Sequence, residues 1–359
     1  MTSGLENASW RRFTLSFAAA AFAATAVLYG FIVALDPFGL RVSASHPPTA
    51  IMDVNQRFMY PQIVRSGRFD SAVFGTSTVR LLDPQQLDRL LGGKFANLGM
   101  NAATPWEQMQ LATLFLRRQE RPENLIFGLD ETWCDPNADR KKLTFRAFPP
   151  WLYDEDPVND YPELLNLTTL EIAGRVALNR LGLMPERIPQ NGYEIFVPDE
   201  SVYDLAKARQ NINAMRSARL EEAGPSKPAR RARASKPVVE TFPALDWLED
   251  ALKQVPASTR VTMAFMPVHA AILPAPDSEL ARREAACKAR VAELGRRHGA
   301  VVVDFRLRSP VTVEDSNYWD ALHYRIGIAS RIVESLRQAR RTGSGDSRGF
   351  YTVLNPPPQ

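Results

Sequence analysis

Short apolar runs of strand length alternate with helical stretches along this chain, and that rhythm excludes most folds. Residues 69–75 (Phe-Asp-Ser-Ala-Val-Phe-Gly), 94–98, 124–129, 260–266 and 300–303 read as strands followed by breakers. Between them lie helical stretches. Asp83-Pro84 opens one through Leu91, with proline suited to a first turn. Residues 105–118 carry Trp106, Met109, Leu111, Leu114 and Phe115 at helical spacing behind Pro105. Further helices are expected at 245–255, 278–298 and 326–338. Strands and helices in this order predict βαβ units and an α/β fold with a mostly parallel sheet. With 359 residues, 45% of them hydrophobic, one large domain with insertions can form a core.

Two stretches break the rhythm. Residues 135–240 are rich in Pro, Asp, Asn and aromatics, as in Phe148-Pro149-Pro150-Trp151-Leu152-Tyr153, and read as a large insertion or lid. It ends in a basic low-complexity loop at about 222–238 that holds Arg230, Arg231 and Arg233, part of a net charge of +4. No aromatic residues interleave with that run, so it suits solvent or anionic lipid headgroups rather than nucleic acid. Beyond 341 the chain is rich in Gly, Ser and Pro, and 341–359 reads as a disordered tail.

Ahead of the α/β pattern, Phe13 to Leu35 is an uncharged stretch. As a helix it is about 34 Å long, enough to cross a bilayer core. Arg11 and Arg12 precede it and favour a cytoplasmic residues 1–12. Asp36-Pro37 stops it. Residues 36–67 then form a membrane-proximal connector with a lead-in helix, and 68–340 the exported domain of a single-pass inner-membrane protein. The alternative is a cleaved signal peptide, with Ala24-Thr25-Ala26 as a small-x-small site. Both alternatives export the domain. An exported domain permits a disulfide between the two cysteines, Cys134 and Cys287; two separate small apolar side chains are the other reading. With four histidines and no CxxC or HExxH, no zinc site is expected, and no cofactor.

Two short segments carry chemistry. Gly75-Thr76-Ser77 follows the first strand, where a turn can project a hydroxyl beyond the carboxyl end of the sheet. Asp320-Ala321-Leu322-His323 precedes the last helix, and a carboxylate three residues before an imidazole can reach one ring nitrogen. The other nitrogen is then free to take the serine proton. The bland readings are helix caps: Ser77 and Thr78 for the segment after them, His323 for its own helix.

This arrangement resembles the SGNH/GDSL hydrolase superfamily, in particular its membrane-anchored branch that includes alginate O-acetylation and teichoic-acid D-alanylation proteins. The resemblance covers about 69–130 and 260–338. It implies a three-layer α/β/α sandwich, with Ser77 as nucleophile, His323 as base and Asp320 as its orienting carboxylate. Asn97-Leu98-Gly99 matches the block whose glycine N–H joins the nucleophile's own in the oxyanion hole. Where those families place an asparagine donor after the third strand, this chain has Gly128-Leu129-Asp130. An ionised Asp130 only accepts hydrogen bonds, so Asn101, or a protonated Asp130, would have to supply the donor. Alternatively Asp130 contacts substrate or caps the next turn. Arg80, His269, Asn317 and Trp319 are candidate substrate contacts, with Trp106 and Trp133 in a sugar-facing wall; the bland readings are a salt bridge for Arg80, a structural role for His269 and packing for the others. The implied activity is acyl transfer, most simply of acetyl, to or from an envelope glycan, with a polytopic membrane acyltransferase as partner. A plain exported carboxylesterase and a noncatalytic glycan-binding scaffold are the other two readings.

Overall fold

The structure, a computed structural model, describes residues 2–43, 46–156, 158–223 and 240–358. A long helix α1 (Thr2–Leu35) and a short one, α2 (Gln56–Arg65), lead into an alternating series. It runs β1 (Ser71–Gly75), α3 (Pro84–Leu91), β2 (Phe95–Gly99), α4 (Pro105–Arg118) and β3 (Asn124–Leu129). Next come α5 (Asp160–Glu163), α6 (Leu167–Arg180), α7 (Leu205–Ala223) and α8 (Pro243–Leu252). The series closes with β4 (Arg260–Phe265), α9 (Glu279–His298), β5 (Val301–Asp304), α10 (Ile326–Thr342) and β6 (Thr352–Asn355). The strands form one sheet in the order β2-β1-β3-β4-β5-β6. β1 to β5 are parallel and β6 is antiparallel to β5. The order reverses direction between β1 and β3, the place where such sheets open a crevice beyond their strand ends.

Alternate strand residues enter two separate apolar clusters, which is why the strands read as unbroken apolar runs. Ala72 and Phe74 of β1 pack with residues of α4, α8 and α9, whereas Val73 packs with α3 and α10. Local chemistry fixes the helix starts. Asp83 accepts a hydrogen bond from Gln85 N–H at the head of α3. Thr104 and Glu107 form a reciprocal cap on α4, with Pro105 in the first turn. Gly299, at φ 65°, takes the left-handed conformation that ends α9.

Within α1, Trp10–Leu35 is long and apolar enough to cross a membrane, with mean hydropathy 2.1 and little of it buried. Its last turns belong to the domain. Ile32 and Leu35 are buried, Tyr29 Oη donates to Tyr161 O at 3.1 Å, and Arg180 donates to Leu35 O at 3.1 Å. The expected connector at 36–67 is likewise core: Phe38, Ile51, Met52, Met59, Tyr60 and Ile63 are fully buried. Apolar residues at helical spacing in 56–65 explain it, despite the internal Pro61.

One further expectation is corrected. The tail is not disordered: α10 runs to Thr342, and β6 pairs with β5 while Phe350 and Tyr351 are buried against Phe305. Its Gly/Ser stretch is only the turn that leads into this strand. Cys134 and Cys287 are joined in a disulfide between the segment after β3 and α9. Of the basic loop at 222–238, residues 224–238 lie outside the described residues.

Candidate active site

Val79 seats the Ser77 turn. Residues Ser77–Val79 make one tight helical turn directly after β1. The Val79 side chain drops onto the adjacent ends of β1, β2 and β3, which are glycine at the points of contact. A Cβ on Gly75 would lie 2.8 Å from Val79, on Gly99 2.6 Å, and on Gly128 2.1 Å. These three glycines therefore make room for the side chain that anchors the turn. Asn97 adds to this, donating from Nδ2 to Val79 O and Leu82 O, each at 2.9 Å.

His323 arrives from the other end of the chain on a loop closed at several points. Trp319 N–H donates to His323 O at 2.9 Å, and Arg325 N–H to Asn317 O at 2.9 Å. Asp320 Oδ1 accepts from the N–H groups of Leu322 and His323 at 2.8 and 2.9 Å. Tyr324 Oη donates to Thr78 O and so ties this loop to the Ser77 turn. The outcome is a continuous chain: Asp320 Oδ2 to His323 Nδ1 at 2.8 Å, and His323 Nε2 to Ser77 Oγ at 2.9 Å. Burial tends to raise the Asp320 pKa, but the imidazole and the loop N–H groups outweigh it and hold the carboxyl below its usual range. It is thus ionised beside the imidazole, which fixes the tautomer with the proton on Nδ1 and the lone pair on Nε2 toward Ser77. Phe196 packs edge-on against the imidazole at 5.2 Å.

Ser77 and His323 open into a cavity of about 570 Å³. Its rim combines the ends of β1 and β3 with Asn101–Thr104, and with Thr144, Arg146 and Phe196 from the insertion. The insertion thus walls the cavity, as a lid would.

The donors facing a developing oxyanion differ from expectation at one position. Ser77 and Thr78 N–H have no protein acceptor among the described residues, as the first N–H groups of a turn without a side-chain cap. Gly99 N–H does not face the cavity; it donates to Asn97 Oδ1 at 3.1 Å, so Gly99 serves packing instead. Asn101 lines the cavity, and its Oδ1 is taken by Arg80 Nη1 at 2.7 Å. That bond orients the amide and leaves Nδ2 as its remaining donor. Ala102, at φ 51° and exposed to the same cavity, also has an N–H without a protein acceptor among the described residues.

Asp130 acts as a cap. Its Oδ1 accepts from Thr132 N–H at 2.9 Å and Thr132 Oγ1 at 2.5 Å, and its Oδ2 from Thr76 Oγ1 at 3.1 Å. It reaches the cavity wall, and burial raises its pKa against the pull of these donors.

Four expected substrate contacts lie elsewhere. Arg80 is buried, ion-paired with Glu194 and stacked 4.6 Å from the Phe196 ring, so it supports the cavity wall from behind. His269 is also buried. Its Nδ1 accepts from Ala271 N–H at 3.1 Å, its Nε2 lies 3.1 Å from Asp315, and its N–H donates to Ala321 O at 2.8 Å. Burial lowers its pKa, with Asp315 opposing. It fastens the His323 loop. Asn317 donates to Val311 O at 2.9 Å, and Trp319 packs edge-on against Tyr203. Trp133 is fully buried and Trp106 packs on Phe148.

Sequence reasoning missed Arg146, Phe196, Ala102 and Arg306 on the cavity wall. Nothing in a single sequence places an irregular insertion over a sheet edge. Among the described residues no cluster of His, Cys, Asp and Glu is arranged to hold a metal ion. In comparison with known proteins, the chain matches no protein-family model and no curated protein sequence.

Proposed function

We propose that the chain is a membrane-anchored serine acyltransferase or esterase of the SGNH type, with a three-layer α/β/α domain acting on an acylated envelope glycan. The observation that carries this reading is the Ser77–His323–Asp320 chain of hydrogen bonds at 2.9 and 2.8 Å. Ser77 Oγ attacks the acyl carbonyl while His323 Nε2 takes its proton. The oxyanion forms against the Ser77 N–H, with Asn101 Nδ2 and Ala102 N–H as further donors. Collapse expels the alcohol, which leaves with the proton from His323. Water or a glycan hydroxyl then attacks the acyl carbon as it gives its proton to His323, and Ser77 Oγ leaves with that proton. Asp320 stabilises the imidazolium in both halves.

The candidate span Trp10–Leu35, with two arginines in its first turn, and the Cys134–Cys287 disulfide support an inner-membrane anchor with the domain in an oxidising periplasm. A polytopic acyltransferase delivering acyl groups across the membrane is the matching partner. Asp130 favours a second reading, a noncatalytic glycan-binding scaffold, since an acceptor-only group stands where a donor would help. A fluorophosphonate probe separates the two. Labelling of the full chain that disappears in both S77A and H323A supports catalysis. Folded protein that neither labels nor cleaves 4-nitrophenyl acetate faster than S77A leaves the scaffold.

A further inference from the structure

Charged groups in the Ser77 cavity are matched, with one exception. Glu131 pairs with Arg219 and, at 2.9 Å, with Arg306, and Arg306 also reaches Glu284 at 3.3 Å. Asp130 is held by threonines. Arg146 lines the same cavity and has no carboxylate partner among the described residues. Its Nε is buried with no acceptor, and its guanidinium lies 5.2 Å from the ring of the exposed Phe145. A guanidinium that lines an open cavity without a carboxylate partner keeps N–H donors for a ligand.

The backbone that presents Arg146 is firmly held. Arg146 N–H donates to Thr144 Oγ1 at 3.2 Å, and that oxygen also accepts from Arg57 Nη2 at 3.2 Å. Arg57 is paired with Glu107 at 2.6 Å, and neither side chain is exposed to solvent. An interior ion pair therefore fixes the point where the insertion turns into the cavity. A guanidinium presents its N–H groups as a planar fork that matches carboxylate and phosphate oxygens.

We propose that Arg146 binds an anionic group, a carboxylate or phosphate, on the molecule whose acyl group reacts at Ser77. The substrate is thus a negatively charged ester or acceptor. This rests on the serine reading for the reaction, though anion binding at Arg146 stands apart from it.

The test uses the full chain in detergent and three acetate esters: 4-acetoxybenzoate, its neutral methyl ester, and 4-acetoxyphenyl phosphate. For wild type, R146K and R146Q, kcat/KM of each anionic ester is divided by that of the neutral one, which cancels leaving-group chemistry between variants. The ratio is expected to fall roughly tenfold to a hundredfold in R146Q, the range of a charge-assisted hydrogen bond, and less in R146K. A fall for the carboxylate or the phosphate ester alone identifies the group. Ratios unchanged for both, in variants that melt like wild type, overturn the proposal.

Binding of 4-hydroxybenzoate against its methyl ester to S77A, read by saturation-transfer NMR, needs no chemistry. Should wild type cleave none of the esters, the serine reading fails. Charge-selective binding lost on adding R146Q would still sustain the anion site, and equal binding of the two would overturn it.

Discussion

Asp130→Asn tests the one group in the cavity that works against an ester-cleaving reading. Asp130 Oδ1 accepts from Thr132 N–H and hydroxyl, a role the amide oxygen keeps. At the other oxygen, Thr76 Oγ1 now donates at 3.1 Å. Thr76 can instead turn its proton to Thr78 Oγ1, also 3.1 Å away, and accept from the new amide. The network closes with no orphaned group, so folding stability with a neutral Asp130 changes by less than about 1 kcal/mol. What changes is charge. The cavity holds about 570 Å³, a sphere of which is roughly 10 Å across; two unit charges that far apart repel by about 1.7 kcal/mol at an effective dielectric of about 20. Removing that repulsion from the oxyanion over Ser77 raises kcat/KM for a neutral acetate ester by roughly 20-fold. Any hydrogen bond from the new amide adds to this. Asp130→Ala removes the charge and the cap together, so it gains rate but loses about 1 kcal/mol of stability.

The sign with pH follows from burial. The folded-state pKa of Asp130 is raised above its unfolded value, so the native state holds a proton that the unfolded chain gives up. Stability from this group is complete below the unfolded pKa of about 4 and is lost as pH rises through the folded value. Relative to wild type, D130N therefore gains both stability and rate as pH climbs through that window, and matches wild type below it. Urea melts and ester kinetics between pH 4 and 9 read both quantities, with pH and ester as the only variables. A D130N protein that melts like wild type at low pH yet cleaves no faster at pH 8 refutes the argument; Asp130 would then exert no field on the reacting carbonyl.

Two other perturbations probe the frame. Reducing Cys134–Cys287, which closes 153 residues of chain, is expected to remove up to about 5 kcal/mol by loop entropy, measured as a shift in the urea midpoint with and without dithiothreitol; an unshifted midpoint would contradict the pairing. G128A puts a methyl 2.1 Å from Val79 and is expected to cost about 1–3 kcal/mol and to slow Ser77 labelling, while V79A in the same chain restores part of both; additive losses in the double variant would mean that Val79 does not seat the turn.

Much of the frame was legible because its determinants are local. Pro84–Leu91, Pro105–Arg118 and Asn124–Leu129 lie where proline, capping residues and apolar spacing put them. Asp320 and His323 were legible for the same reason, since three residues in a turn bring a carboxylate and an imidazole together whatever surrounds them. What failed to be legible depends on distant pairing. The tail reads as disordered because its turn is Gly/Ser-rich, yet Val353 pairs with Val303 across a long connection. Arg80 reads as an anion-binding cation or as half of a salt bridge, and Glu194, 114 residues later, makes it the second. Gly99 reads as an oxyanion donor, yet its glycine character answers to a Val79 methyl group at its back and its N–H to Asn97. Each case has the same physical root. A residue's type states what it can do, and its partners decide which of those capacities is already taken. The groups with chemistry left over at this sheet edge are Ser77, His323, the Asn101 amide, the Ala102 N–H and Arg146. The last three are supplied or oriented by segments whose own sequence carries no periodicity to announce them. Chemistry built on such segments is read from the folded chain, by finding the polar atoms that folding has left unspent.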